Sequence, residues 1–312
     1  MRTIFSKAIV DAALNDERVL LLTGDHGYAL FDEFRKAAPR QFINAGVAEQ
    51  NMVGMAAGLA KAGFRPIVYG LSAFVPVRVL EQIKLDVCYE GLPVVFMGDG
   101  AGVVYSSLGS SHQSVEDIAA LRAIPHIDIL SPGDRAEMAY AMAHALSFKR
   151  PVYVRMGKAD LAEAHRPGAF EPNAPLGTLI CLAGEQGASL AFVATGSMLG
   201  SAMTLAEEYG DSVVWSVPSI RPIDEDQVRT IARTARTIVV LEEHSSEGGL
   251  GGLVAELVAE MDGNRARVIR LGTEGKFSEL CGSYAYLLKE HGLDLPGLRR
   301  RMEKKGLTRE QR

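Results

Sequence analysis

Little in this chain of 312 residues suits covalent cross-linking, a membrane span or a nucleic-acid partner. Its three cysteines, Cys88, Cys181 and Cys281, are far apart and show no metal or redox spacing, so they read as small core residues in a reducing compartment. No uninterrupted apolar run approaches the roughly 18 residues that a membrane span needs. The formal net charge of −5 argues against a nucleic-acid footprint. Basic residues stay scattered until Arg299-Arg300-Arg301-Met302-Glu303-Lys304-Lys305, which reads as a solvated helix end. No signal peptide opens the sequence, because Arg2-Thr3-Ile4-Phe5-Ser6-Lys7 leads into an amphipathic helix. A cytoplasmic protein is the expectation. Asparagine is also missing between Asn51 and Asn173.

What is present is a soluble, globular composition, 47% hydrophobic and 23% charged, long enough for two domains. Apolar strand-like runs at 19–23, 65–69, 93–97, 127–130 and 151–155 alternate with helical patterns at 3–15, 44–60, 74–88 and 135–148. Residues 158–175 are polar and punctuated by Pro167, Pro172 and Pro175, as a linker would be. A second alternation follows, with strands at 190–194, 213–217 and 237–241 and helices at 197–209, 224–234 and 250–261. The pattern predicts an α/β protein of two parallel or mixed-sheet domains, 1–158 and 176–312, joined by a linker at 159–175. Ligands of such sheets bind at the carboxyl ends of strands, where Asp25, Asp99 and Arg155 fall.

The chain is organised around residues 44–60, read as a buried helix with Asn44 as N-cap. Gly46, Gly54 and Gly58 permit close backbone approach, and the one carboxylate in the stretch is Glu49. A buried carboxylate is costly unless it is paired or protonated. Taken alone, Glu49 is either such a group or a first-turn glutamate favoured by the helix dipole.

Gly46-Val47-Ala48-Glu49-Gln50-Asn51-Met52 closely resembles the pyrimidine-domain signature of the transketolase family of thiamine diphosphate (ThDP) enzymes. Relatives include deoxyxylulose phosphate synthase and the β subunits of 2-oxo acid dehydrogenases. The resemblance implies that Glu49 hydrogen-bonds the cofactor's aminopyrimidine and promotes the imino tautomer that deprotonates the thiazolium carbon. It extends into the second half through Ser219-Ile220-Arg221-Pro222-Ile223-Asp224 and Glu242-Glu243-His244.

Other residues carry roles by the same resemblance, each beside a plainer alternative. His112, in Gly109-Ser110-Ser111-His112-Gln113, would stand over the thiazolium and handle protons of the substrate hydroxyl, or be a surface loop histidine. Relatives commonly carry an acidic residue four positions earlier; here it is Leu108. Phe74 would stack on the pyrimidine, or be a core residue. Arg78, four before Gln82, resembles a cofactor-side arginine, with its spacing from Phe74 one residue off. Asp25 and His26 match the cofactor and substrate edge of the channel, or form a simple Gly24-Asp25-His26-Gly27 turn. Arg155 resembles an arginine that grips a substrate phosphate, or is an ordinary surface residue.

Two glycine motifs are discounted. Gly98-Asp99-Gly100 mimics the start of the diphosphate- and metal-binding motif, but the asparagine that completes it is absent. Gly248-Gly249-Leu250-Gly251-Gly252 fails the dinucleotide register at Val254 and reads as close helix packing. The resemblance therefore implies a C-terminal subunit of a split transketolase that transfers a two-carbon ketol unit from a ketose phosphate to an aldose or aldehyde. A separate N-terminal subunit would hold the diphosphate and Mg²⁺, in an α2β2 assembly. A 2-oxo acid dehydrogenase or decarboxylase β subunit, and a non-catalytic structural or regulatory subunit, are the alternatives.

Overall fold

A computed structural model describes residues 1–158, 160–166, 170 and 174–308. It contains two sheets flanked by helices. In chain order the first six strands are β1 (Val19–Thr23), β2 (Phe42–Asn44), β3 (Arg65–Leu71), β4 (Val95–Asp99), β5 (Asp128–Leu130) and β6 (Val152–Met156). The next six are β7 (Ile180–Ala183), β8 (Leu190–Ala194), β9 (Ser212–Ser216), β10 (Ser219–Arg221), β11 (Thr237–Ser245) and β12 (Arg267–Thr273). The first sheet has seven strands in the order β10-β5-β6-β4-β3-β1-β2, and the second runs β12-β11-β8-β9-β7. All pairings are parallel except β10 on β5 and β7 on β9. Strands β1, β4, β6 and β8 are buried at every residue, as strands covered on both faces must be.

One face of the first sheet is covered by helices Arg2–Asn15 and Arg135–Ala145. The former buries Phe5, Ile9 and Ala13, one helical stripe. The other face packs against the Glu49 helix and residues 75–88, and that core runs on without a break into the second sheet through Ile129, Val193, Trp215, Val217 and Ile220. β10 lies on the far side of the linker in sequence, yet it completes the first sheet by pairing Ser219 with Leu130. Arg221 secures the crossing by donating to the carbonyls of Arg122 (2.9 Å) and Ile124 (2.6 Å).

The structure departs from sequence-based expectation at the central helix, at residues 74–88, and at Cys181 and Cys281, which are exposed rather than core residues. Asn44 does not cap the central helix, which spans Glu49–Lys61 with Ala48 at its N-cap. Gly46 has a positive φ of 71° that holds the chain out of the helix. The Asn44 side chain instead accepts from the backbone N–H of Gly46 (3.0 Å) and of Asp25 (3.2 Å). Nor is the 44–60 stretch buried all round: Val47, ahead of the helix, is 74% exposed, and Gly54 and Gly58 face open space.

Residues 74–88 are not one helix but a 3₁₀ turn (Val77–Val79), a single α turn (Leu80–Gln82) and a π stretch (Ile83–Cys88). Pro76 lacks an N–H and disfavours helical geometry before it, so the helix cannot begin at Phe74. The expected linker falls partly on residues 159, 167–169 and 171–173, which lie outside those described. Within the rest, Asp134 accepts from the backbone N–H of Ala164 (3.2 Å) and His165 (3.0 Å), tying the segment to the first domain.

Candidate active site

The segments that follow β1 and β3 and the 106–112 loop meet around Phe74, and the one that follows β2 joins them through Arg78. Glu49 is the first residue of its helix and only 4% exposed. Its Oε2 accepts from Arg78 Nη1 at 3.1 Å, and its Oε1 is buried with no hydrogen-bond partner. The chain leaving β1 passes close by, since a Cβ on Gly24 would lie 3.2 Å from the Gly46 carbonyl and 3.9 Å from Glu49 Oε1. Phe74 is fixed by its N–H to the Leu71 carbonyl (2.8 Å) as the chain turns out of β3.

Three other predicted residues meet this ring. The Arg78 guanidinium carbon stands 3.9 Å from its centroid. The half-buried His112 ring meets it edge-on at 5.2 Å, with planes at 66°. His26 lies 6.2 Å away with its Nε2 buried and unpartnered. His112 Nδ1 is paired with Ser111 Oγ at 3.0 Å. Leu108, at the end of the preceding 3₁₀ turn, is 51% exposed.

Asp25 sits exposed at the rim, with φ 64°. Its Oδ1 accepts from Asn44 Nδ2 (3.1 Å) and Tyr28 Oη (2.8 Å), and these hydrogen bonds lower its pKa. Asn44 thus joins the turn after β1 to the approach of the Glu49 helix. Sequence reasoning missed this role, and the only signal for it was an asparagine two residues before Gly46.

Arg155 does not join the site. It is 3% exposed, with Nε on Asp117 Oδ2 (2.8 Å) and Nη2 on the carbonyls of Ser114 (3.2 Å) and Glu243 (2.9 Å). This corrects both readings of it, since a guanidinium held inside the protein by a buried carboxylate and two carbonyls is neither a surface residue nor turned to a substrate phosphate. Asp99 is likewise consumed, by Arg2 Nη2 (3.0 Å), Tyr69 Oη (2.8 Å) and Tyr105 Oη (3.0 Å). Among the described residues no group of three or more His, Cys, Asp or Glu side chains could hold a metal ion, and no helix is long and apolar enough to cross a membrane.

A second cluster joins the two domains. Glu243, at the end of β11, accepts from Val103 N–H (2.7 Å), Tyr284 Oη (2.6 Å) and Ser197 Oγ. Burial raises its pKa. Gly102 presses so closely on this carboxylate that a Cβ there would lie 2.2 Å from its Oε1. Both β8 and β11 end near here, at the point where the strand order of the second sheet reverses, so Gly102 and Val103 sit in the crevice that usually takes a ligand.

Comparison with known proteins fits this architecture. The family model "Transketolase, pyrimidine binding domain" matches residues 1–163, and "Transketolase, C-terminal domain" matches 182–297. The chain belongs to the transketolase family. It is 32% identical to a subunit of the apulose-4-phosphate transketolase of Phocaeicola vulgatus, over 95% of this chain and 94% of that one. The protein of the same description from Actinobacillus succinogenes is 34% identical, over 84% and 83% of the two chains. A solved structure described as "Split gene transketolase, inactive beta4 tetramer" superposes with a TM-score of 0.82 at 30% identity, covering 99% of this chain and 98% of that one. Within the family the chain is a transketolase-type transferase subunit carrying the pyrimidine-binding and C-terminal domains, and the family implies dependence on ThDP.

Proposed function

We propose that this chain, with domains at 1–158 and 176–312 about a linker at 159–175, works in the cytoplasm as half of a ThDP-dependent ketol transferase. Its other half is a separate N-terminal subunit that binds the diphosphate and Mg²⁺, in an α2β2 assembly. The reaction moves a two-carbon ketol unit from a ketose phosphate to an aldose or aldehyde; the apulose 4-phosphate of the relatives' names is the first candidate to assay.

The observation that carries this reading is the convergence of Glu49, Phe74 and His112. The residues suit the cofactor. Glu49 keeps one buried oxygen unpartnered, Phe74 offers a ring to stack on, and glycine at 24 leaves the space beside the carboxylate open. When bound, the cofactor supplies the nucleophilic carbon for the ketol fragment. Glu49 holds the pyrimidine by a charge-assisted hydrogen bond and sets where its protons reside. Phe74 would orient the ring, with Asp25 at its rim and Arg78 at its approach. His112 exchanges a proton with the substrate hydroxyl, and an imidazole suits that task near neutral pH. His26 borders the substrate path.

The test is co-purification with the product of a neighbouring reading frame that carries the diphosphate motif, followed by a ketol-transfer assay with ThDP and Mg²⁺. Activity in the mixture alone supports the reading. No complex and no activity overturns it, and activity that requires a lipoyl domain assigns the chain to the 2-oxo acid enzymes instead.

A further inference from the structure

Arg78 makes two contacts at once. Its guanidinium lies 3.9 Å from the Phe74 centroid and donates to Glu49 Oε2 at 3.1 Å. On the reading above, on which this inference rests, a stacked ring and a hydrogen bond from Glu49 are what hold the aminopyrimidine. A guanidinium is planar and presents an N–C–N edge of donors. The amidine edge of a 4-aminopyrimidine has the same shape.

We infer that Arg78 is a placeholder for the cofactor's pyrimidine: its guanidinium takes the Glu49–Phe74 clamp, and it must swing out before ThDP can seat. Three observations fit an arm that moves. The Arg78 side chain is 45% exposed although its partner Glu49 is buried, so its outward path is open. Its backbone lies in the 3₁₀ turn Val77–Val79, followed by one α turn and a π stretch, irregular geometry of the kind found at functional hinges. The other carboxylate oxygen of Glu49 is left unpartnered by this contact, so the arginine does not complete the site. The arm also screens a carboxylate that would otherwise stand buried and unpaired.

A self-occupied clamp lowers apparent cofactor affinity by the fraction of molecules in which it is open. A half-exposed ion pair with one cation–π contact is weak, which sets that factor at roughly threefold to thirtyfold. The experiment is calorimetric titration of ThDP, with Mg²⁺, into the assembled two-subunit complex. Wild type is compared with Arg78→Met, which keeps length without charge, Arg78→Lys, which keeps charge without the plane, and Glu49→Gln. Arg78→Met is expected to tighten ThDP binding by that factor, chiefly through faster association, with Arg78→Lys in between. Unchanged or weaker binding in Arg78→Met, with Glu49→Gln still weakening it, overturns the placeholder alone. If Glu49→Gln leaves ThDP affinity as in wild type, the assignment of the clamp to the cofactor has failed, and the placeholder with it.

Discussion

The imidazole of His112 stands edge-on to the ring of Phe74, centroids 5.2 Å apart, so the proposed proton carrier and the proposed cofactor platform share one surface. Removing the imidazole while keeping the ring should therefore separate chemistry from cofactor binding. His112→Ala in the assembled enzyme is expected to lower kcat by roughly a hundredfold to ten-thousandfold, the range of a lost acid–base group. ThDP affinity should change by less than about threefold, since a single ring contact is weak. Steady-state kinetics and cofactor titration on the same preparation check both numbers.

Glu49 carries the opposite trade. A carboxylate 4% exposed with one orphaned oxygen is poor for stability, and the proposed cofactor role would explain why it is tolerated. Glu49→Gln should leave the thermal midpoint of the isolated chain unchanged or raised while ketol transfer by the assembled enzyme falls by orders of magnitude. A clear loss of both would mark Glu49 as a structural residue, whose partner is then Arg78 alone.

Arg155 should behave as an internal brace. Asp117 is fully buried and takes both the Tyr153 hydroxyl (2.7 Å) and Arg155 Nε (2.8 Å). Arg155→Met leaves that carboxylate without its counter-charge, and breaking a buried pair in this way costs about 3–5 kcal/mol. Denaturant unfolding should show the loss. KM for a phosphorylated donor, measured at low temperature where the variant is folded, should stay within about twofold of wild type, because a group with no contact to the phosphate contributes nothing to its binding.

The junction between the domains predicts a pH dependence. Burial pushes the Glu137 carboxyl up to about 7, against hydrogen bonds from Ser216 and from the Gly133 N–H and the nearby His165. In the folded chain Glu137 therefore holds a proton that the unfolded chain has already released, so stability falls as pH rises from the ordinary glutamate range to about 7. Burial works against the charge of His165, but Asp134 at 2.7 Å and the adjacent Glu137 outweigh it and raise its pKa. Its contribution is present in acid and lost as pH rises through that raised value. Both effects run the same way. Glu137→Gln should gain on wild type between pH 5 and pH 8 by at most about 3 kcal/mol in urea unfolding; parallel curves for the two proteins would contradict the assignment.

The order of strands and helices was legible because each fully buried run of valine, leucine and isoleucine is flanked by polar turns. Glu49, Phe74 and His112 were legible as candidates because short motifs frame them, and the structure brings them together. What sequence could not show is where long side chains end. Arg155 follows a strand like any surface arginine, and only its three-dimensional neighbours Asp117, Ser114 and Glu243 reveal that it points inward. Asn44 looked like a helix cap because asparagine serves both caps and turns, and the positive φ of Gly46 decided between them. Arg78 was visible as a cofactor-side candidate, but its hydrogen bond to Glu49, 29 residues away in sequence, was not.

β10 belongs by sequence to the second half and by hydrogen bonding to the first sheet, and one apolar core runs beneath both. Two units by descent are thus a single unit by cooperativity. Expressing residues 1–175 alone would strip β5 of its outer neighbour and bare an open sheet edge beside uncovered core, a recipe for aggregation rather than for a smaller enzyme. Mutations in the distant half should then be felt as changes in the order of the 100–113 segment that carries His112, which is tied to Glu243 and Ser278.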